Sequence, residues 1–226
     1  MGEPLESNPA VPAATVVLLR DEPDGLATLM LRRNASGAFG GMWVFPGGRV
    51  DDEDRQPDDP DAEAPARRAA VREAVEECSL LLETHELVPF SRWMPPAETP
   101  RRFDTWFFVA RVSDGEVVVD GQEIHEHVWL SPREVLERRD RGELDLAPPT
   151  FVTLTDLASV GSVSGAVEMA QARQPVPWYA SRFARHGEQV VLLWDGDAGY
   201  ETADATVDGA RHRLWMLPDG WIYERS

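Results

Sequence analysis

Arg72-Glu73-Ala74-Val75-Glu76-Glu77 is the stretch of this 226-residue chain that decides its fold. The surrounding residues 66–82 are rich in Ala, Arg, Glu and Leu and contain no Gly or Pro, which predicts a helix. On that helix Glu73, Glu76 and Glu77 stand at i, i+3 and i+4 and therefore project from one face. Their repulsion costs about 0.2–0.5 kcal/mol per pair, which a bound cation offsets. A solvated acidic face is the alternative, because glutamate is a good helix former.

A double-glycine turn stands upstream of this helix. Phe45-Pro46-Gly47-Gly48 predicts a strand that ends in a tight turn, where the backbone can approach a ligand or the following helix closely. Residues 51–65, between the turn and the helix, are acidic and rich in Pro, which predicts a solvated loop. Grouped carboxylate oxygens suit Mg²⁺ or Mn²⁺. The turn and the helix together therefore predict a divalent metal site.

The order of strand, glycine turn, loop and acidic helix resembles the Nudix box. That family's motif is Gly, five residues, Glu, seven residues, then Arg-Glu-apolar-x-Glu-Glu-x-Gly-apolar. Gly48 fits the leading glycine, residues 72–77 fit the Arg-Glu core, and Leu80 fits the final apolar position. The chain departs from the motif at Ser79, which replaces a glycine, and by about ten inserted residues, which surface loops tolerate.

The insertion leaves two candidates for the first glutamate of the motif. Counting forward from Gly48 reaches Asp54, whereas counting back from Arg72 reaches Ala64, beside Glu63. We favour Asp54 and retain it as a candidate base or extra metal ligand.

The resemblance implies a metal-dependent catalytic site on the helix. Glu73, Glu76 and Glu77 would bind one or more Mg²⁺ or Mn²⁺ ions, and Arg72 would hold Glu73 or a neighbouring carboxylate by a charge-assisted hydrogen bond. The metal would neutralise the diphosphate and activate a bound water, with Arg72, Glu76 and Glu77 as the catalytic residues.

Residues outside the helix are candidates for substrate contact and proton transfer. The substrate candidates are Gly47, Gly48, Arg32 with the adjacent Arg33, and Arg102 with Arg101. Glu123 and Glu126 are candidates for the base or an extra ligand. Solvated surface positions explain these glutamates and arginines equally well.

Two further segments resemble the branch of Nudix proteins related to coenzyme A diphosphatases. They are residues 101–108, RRFDTWFF, and residues 129–134, WLSPRE. The branch implies hydrolysis of a diphosphate linkage in a nucleoside diphosphate derivative, with coenzyme A or an acyl-CoA as the first choice. ADP-ribose or a dinucleotide is the alternative substrate, and a Nudix-fold module that senses a nucleotide without cutting it is the alternative function. The three grouped carboxylates argue against the sensor.

The remaining pattern predicts an α/β fold, a Nudix-type α/β/α sandwich with a mixed sheet. Ser131 is predicted to cap a helix that ends near Arg141. Strands are predicted at residues 14–20 and 26–33, which form a hairpin, and at 104–112, 116–119 and 124–130. The apolar stripe of the acidic helix is predicted to consist of Val71, Val75, Cys78 and Leu82.

Three segments are expected along the chain. Residues 1–12 are expected to form a flexible arm, residues 13–158 the Nudix domain, and residues 159–226 an α+β extension packed on the same domain. Capping the site, forming a homodimer interface and enlarging the core are the roles left open for this extension.

Charge and composition restrict the partners. The net charge of −18 repels a phosphate backbone and argues against nucleic-acid binding, so a phosphorylated substrate requires a local cation. Cys78 is the single cysteine, which excludes an internal disulfide and a Cys/His zinc site of the usual kind. The chain has neither an apolar run of about 18 residues nor a signal pattern, so we expect a soluble, cytoplasmic protein without a membrane partner.

Overall fold

The computed structural model describes residues 9–35, 39–112 and 115–226. Residues 1–8 of the expected N-terminal arm lie outside these ranges. The chain divides into two compact units. The larger unit comprises Ala13–Ser91 and Trp106–Pro177, and the smaller unit comprises Met1–Pro12, Arg92–Thr105 and Trp178–Ser226. Near the C-terminus the division thus follows Pro177, whereas the sequence suggested a boundary at residue 159.

The sheet of the larger unit is built around a central hairpin. Its strands, three of which extend into the residue ranges of the smaller unit, are β1 Val11–Glu22, β2 Gly25–Arg33, β3 Trp43–Val44, β4 Gly47–Arg49, β5 Val88–Met94, β6 Phe103–Arg111 and β7 Ile124–Leu130. The order is β3-β2-β1-β6-β5, with β4 also paired to β1 and β7 also paired to β2. The predicted hairpin is confirmed, because β1 and β2 pair antiparallel from Leu19 opposite Thr28 to Glu22 opposite Gly25.

Helices cover the sheet and complete an α/β layer fold. They are α1 Glu63–Cys78, α2 Pro132–Asp140, α3 Pro148–Leu157 and α4 Val163–Ala172. Val16 and Leu18 of β1 share a hydrophobic core with α1, and the alternate residues Val17 and Leu19 are also fully buried. Both faces of the strand are therefore covered, as in a layered α/β fold. The predicted Ser131 cap is confirmed, since its side chain accepts from the backbone N–H of Glu134.

Of the predicted stripe, Cys78 and Leu82 are buried and Val71 packs against the core, but Val75 does not belong to it. Val75 is 39% exposed, whereas Ala66, Ala70 and Ala74 are completely buried. Alanine has no atoms beyond Cβ, so this face packs the helix closely against the sheet. Glu77, three residues after Ala74, lies on the same face and is only 4% exposed. Tertiary packing thus brings one of the three glutamates into the interior.

Ser79 ends α1 in the place where the family motif has glycine. Its φ of 58° lies in the left-handed region, and its N–H donates to the carbonyls of Ala74 and Val75. The Ser79 hydroxyl donates to the carbonyl of Val118 at 3.0 Å, and the Val118 N–H donates to the Cys78 carbonyl. The predicted strand at residues 116–119 is therefore wrong, because this segment bonds to the end of the helix.

Two other strand boundaries differ from the predictions. β1 begins at Val11, so the end of the expected arm belongs to the sheet. β5 was not predicted, because Pro89 interrupts its pattern and Pro lacks the N–H of a strand residue.

The smaller unit contains a second, antiparallel sheet. Its strands are β9 Arg182–His186, β10 Gln189–Leu193, β11 His212–Leu217 and β12 Gly220–Arg225, in the order β12-β11-β10-β9. β8, Trp178–Ala180, pairs in parallel with Arg92–Met94 of β5. The long loop from β10 to β11 folds around a buried ion pair, in which Nη2 of Arg213 lies 2.7 Å from Oδ1 of Asp197. Along the described ranges of the chain, no helix is long and apolar enough to cross a membrane.

Candidate active site

Glu77 is a buried carboxylate beside Gly47 of β4. Its side chain is 5% exposed, and its Oε1 lies 3.4 Å from Nη1 of Arg33. Its Oε2 accepts a hydrogen bond of 2.9 Å from the N–H of Gly47. Burial raises the pKa of Glu77 to about 8, because desolvation outweighs the opposing effects of Gly47 and Arg33. A carboxylate that is buried with so little compensation favours the approach of a further cation.

Arg72 holds the other two glutamates of the helix. Its Nη1 donates to Oε1 of Glu73 at 2.8 Å and to Oε2 of Glu76 at 3.0 Å. Its Nη2 donates to the carbonyl of Arg49 at 2.9 Å, and this bond connects α1 to β4. The Glu73 side chain is 13% exposed and that of Glu76 is 55% exposed. Arg72 therefore holds Glu73 and Glu76 at the edge of the buried face.

The inserted loop returns to the same arginine through Asp54. Nη2 of Arg72 lies 2.9 Å from Oδ2 of Asp54, whose side chain is 4% exposed. The hydrogen bond with Asp54 is the largest cause that raises the pKa of Arg72 above its usual range. Glu63, beside the position reached by the backward count, pairs instead with Arg67. Asp54, the residue reached by the forward count from Gly48, thus contacts the Arg-Glu core as an ion-pair partner of Arg72.

The predicted glycine turn is wrong, because Gly47 and Gly48 lie in β4 and pair with Thr15 and Ala14 of β1. Close approach of neighbouring atoms explains both glycines. A Cβ atom at Gly48 would lie 2.1 Å from Oε1 of Glu73, and one at Gly47 would lie 2.5 Å from the carbonyl oxygen of Ala14. The sequence suggested that both glycines bind substrate. In the structure the Gly47 N–H is engaged by Glu77 and Gly48 packs against Glu73, so β4 positions the carboxylates of α1.

The three helix glutamates are not directed at one point. In the part of the chain that the structure describes, no group of three His, Cys, Asp or Glu side chains is arranged to hold a metal ion. Glu73 and Glu76 face Arg72, whereas Glu77 faces Gly47 and Arg33. The donor chemistry nevertheless fits a hard divalent cation, since all three donors are carboxylates. Burial also raises the pKa of Glu73, so a cation would relieve the cost of two desolvated carboxylates.

The candidate substrate and base residues outside α1 lie in different parts of the structure. Arg32 and Glu126 form a half-exposed ion pair of 3.4 Å on neighbouring strands. Glu123 is 64% exposed, and its Oε2 lies 2.5 Å from Nη2 of Arg33. Arg102 belongs to the smaller unit, where its guanidinium donates to the carbonyl of Pro95. Arg33 is thus the strand arginine that contacts a helix glutamate, and the sequence had offered it only as a phosphate contact.

Comparisons with known proteins agree with this arrangement. A protein of Caenorhabditis elegans named nudix hydrolase 7 is 27% identical over 186 residues, which are 66% of this chain and 61% of the relative. The acyl-coenzyme A diphosphatase NUDT19 of Gallus gallus is 33% identical over 84 residues, 34% of this chain and 22% of the relative. The chain therefore spans less than two thirds of either curated relative.

A solved structure and a family model extend the likeness to most of the larger unit. The NUDIX hydrolase from Alicyclobacillus acidocaldarius superposes with a TM-score of 0.63 at 26% identity, covering 71% of this chain and 96% of that chain. The family model described as NUDIX domain matches residues 9–150, which include Gly47, Gly48 and all of α1. The fold, the Arg-Glu helix and this match show that the chain belongs to the NUDIX domain family.

Proposed function

We propose that the chain hydrolyses a diphosphate linkage in a nucleoside diphosphate derivative, with Mg²⁺ or Mn²⁺ bound by Glu73, Glu76 and Glu77. The observation that carries this proposal is the burial of Glu77 beside the Gly47 N–H, with the Arg33 guanidinium group 3.4 Å away. When bound, the cation would neutralise the diphosphate and lower the pKa of a coordinated water.

The protein's own residues prepare the site for that cation. Gly47 directs Oε2 of Glu77, and Arg72 directs Glu73 and Glu76 towards the outer end of the same helix face. Glu76 is the most exposed of the three and is therefore the one most open to substrate and water. Asp54 fixes the Arg72 guanidinium from the opposite side, which keeps this array in place before substrate arrives.

Coenzyme A or an acyl-CoA is the substrate that we propose first. The similarity to the Gallus gallus acyl-coenzyme A diphosphatase supports this choice, over 84 residues. The net charge of −18 makes the bound cation essential for any phosphorylated ligand, because the protein's overall field repels it.

A panel of diphosphates tests the reaction and the substrate together. Coenzyme A, an acyl-CoA, ADP-ribose and diadenosine tetraphosphate would be incubated with the protein, with Mg²⁺, with Mn²⁺ and with EDTA, and the products separated by chromatography. We expect cleavage of at least one compound, fastest for the CoA compounds, and no cleavage in EDTA. Binding of a nucleotide without turnover under all these conditions would instead identify a sensor module.

Alanine substitutions at the two glycines of β4 should differ in effect, because one should lower mainly turnover and the other mainly folding stability. Gly48→Ala displaces the mobile end of the Glu73 side chain, so we expect a stability loss below about 1 kcal/mol but a fall in turnover of at least about tenfold. Gly47→Ala meets the backbone of Ala14 and should cost about 1–3 kcal/mol of folding free energy. Urea unfolding and initial rates on one substrate measure both effects. A Gly48→Ala protein with the parent's rate would show that the position of Glu73 does not matter for the reaction.

A further inference from the structure

Arg33 lies between a buried and an exposed carboxylate at the end of β2. Its Nη1 is 3.4 Å from Oε1 of Glu77, whose side chain is 5% exposed. Its Nη2 is 2.5 Å from Oε2 of Glu123, whose side chain is 64% exposed. The short contact is thus made with the exposed partner, and the long contact with the buried one.

The two consecutive arginines of β2 differ in their partners. The register of β2 against β7 shifts between Arg32 and Arg33, where the paired residue changes from Glu126 to Ile124. Successive side chains of a strand point to opposite faces, and the two consecutive arginines accordingly reach different carboxylates, Glu126 and Glu77.

The backbone around Glu123 is fixed beside Arg33. The Glu123 carbonyl accepts from the Asn34 N–H at 2.8 Å, and the Glu123 N–H donates to Oδ2 of Asp120 at 3.0 Å. These bonds anchor Glu123 to the end of β2, so its carboxylate stays within reach of the guanidinium whether or not Arg33 contacts Glu77.

We propose that Arg33 is a positioning residue that contacts Oε1 of Glu77 in the metal-free protein, and that Glu123 retains the guanidinium when a divalent cation takes its place at Glu77. This inference rests on the proposed function, because it treats Glu77 as a metal ligand. A guanidinium and a metal ion repel each other and compete for the same carboxylate. The long contact with Glu77 is the one that yields, since the shorter contact with Glu123 holds the charge. Glu123 therefore acts on the metal site through Arg33 and is not itself a ligand.

A double-mutant cycle on Mn²⁺ binding tests this coupling without any substrate. The dissociation constant would be measured from the electron paramagnetic resonance signal of free Mn²⁺ for the parent, Arg33→Gln, Glu123→Gln and the double variant. Changes around metal ligands alter affinity by about 10–100-fold, so we expect Arg33→Gln to tighten binding and Glu123→Gln to weaken it, each by about tenfold. In the Arg33→Gln background the effect of Glu123→Gln should shrink to about twofold or less, because its intermediary is gone.

The controls separate this coupling from simple charge effects. Arg32→Gln makes the same charge change one residue away, and at its exposed position we expect a change of about twofold or less. A thermal shift on adding Mn²⁺ should be larger for Arg33→Gln than for the parent, because a ligand that binds the folded state more tightly stabilises it more. Circular dichroism would confirm that each variant is folded, and Arg33→Met, which also removes the positive charge, would replace Arg33→Gln if the latter were not.

The outcomes distinguish this inference from the proposed function. If Glu123→Gln weakens Mn²⁺ binding equally with and without Arg33, then Glu123 acts directly and the inference fails while the metal site stands. If the parent binds no Mn²⁺, or binds it no better than Glu77→Gln does, the proposed function and this inference fall together.

Discussion

Glu77→Gln is expected to lower diphosphate hydrolysis by about 10³-fold, because a metal ion supplies several kcal/mol of transition-state stabilisation and each 1.4 kcal/mol is worth a factor of ten. The amide keeps an oxygen that can accept from the Gly47 N–H, so the local fold has a ready substitute for the bond of 2.9 Å. Initial rates with saturating Mg²⁺ measure the loss. Glu137→Gln, at an exposed position on α2, makes the same change of charge and should keep the parent's rate. A Glu77→Gln protein that retained a tenth of the activity would remove Glu77 from the site.

The same substitution should stabilise the metal-free protein at alkaline pH. The pKa of Glu77 is raised by burial from 4.5 to about 8, so between these values the folded chain holds a proton that the unfolded chain releases. The free energy of unfolding of the metal-free protein therefore falls as pH rises from 4.5 to 8, and the stability from this group is fully present only below 4.5.

Urea unfolding in EDTA across this pH range tests whether the free energy of unfolding falls as pH rises. We expect Glu77→Gln to remove most of the slope and to exceed the parent's stability at pH 8 by up to about 4 kcal/mol. Glu73, whose pKa is raised in the same direction, should leave a smaller residual slope. Mn²⁺ should restore the parent's stability at pH 8, because it binds the ionised carboxylate. Parallel pH profiles for parent and variant would contradict this account of Glu77.

Asp197→Asn is expected to cost about 3–5 kcal/mol of folding free energy in the smaller unit, since it leaves the charge of Arg213 buried without its partner. Both side chains are at most 1% exposed. Two bonds of 2.7 Å join the guanidinium to the two carboxylate oxygens, and Arg213 Nη1 also donates to the Ala205 carbonyl. Asp197 also accepts from the N–H groups of Gly199 and His212, so it organises the loop between β10 and β11.

Urea unfolding followed by tryptophan fluorescence measures this effect. Asp208→Asn is the matched control, because its pair with Arg211 is exposed and long at 3.8 Å, and we expect it to cost less than about 1 kcal/mol. The double variant Asp197→Leu with Arg213→Met should recover much of the stability, since apolar residues of similar volume often replace a buried ion pair without loss. Equal stabilities of Asp197→Asn and Asp208→Asn would show that the buried pair contributes little.

The sequence by itself determined the features that depend on local patterns. The absence of Gly and Pro predicted most of α1, the Ser131 signal predicted the start of α2, and alternating strands predicted the hairpin at the centre of the sheet. The spacing of Arg72 and the three glutamates placed the four side chains on one stretch of helix. These predictions succeed because hydrogen bonds within a helix and a turn are set by neighbouring residues.

Only the tertiary structure decided which of these side chains are buried. The spacing of apolar residues placed the buried stripe on Val71, Val75, Cys78 and Leu82. Close packing against the sheet left Val75 exposed, buried the alanine face and carried Glu77 with it. The contacts of Arg72 with Asp54 and of Arg33 with Glu77 join residues 18 and 44 positions apart, and no local pattern encodes such distances. Burial and long-range pairing depend on how the elements pack, and they set the electrostatics of the carboxylates that the helix presents.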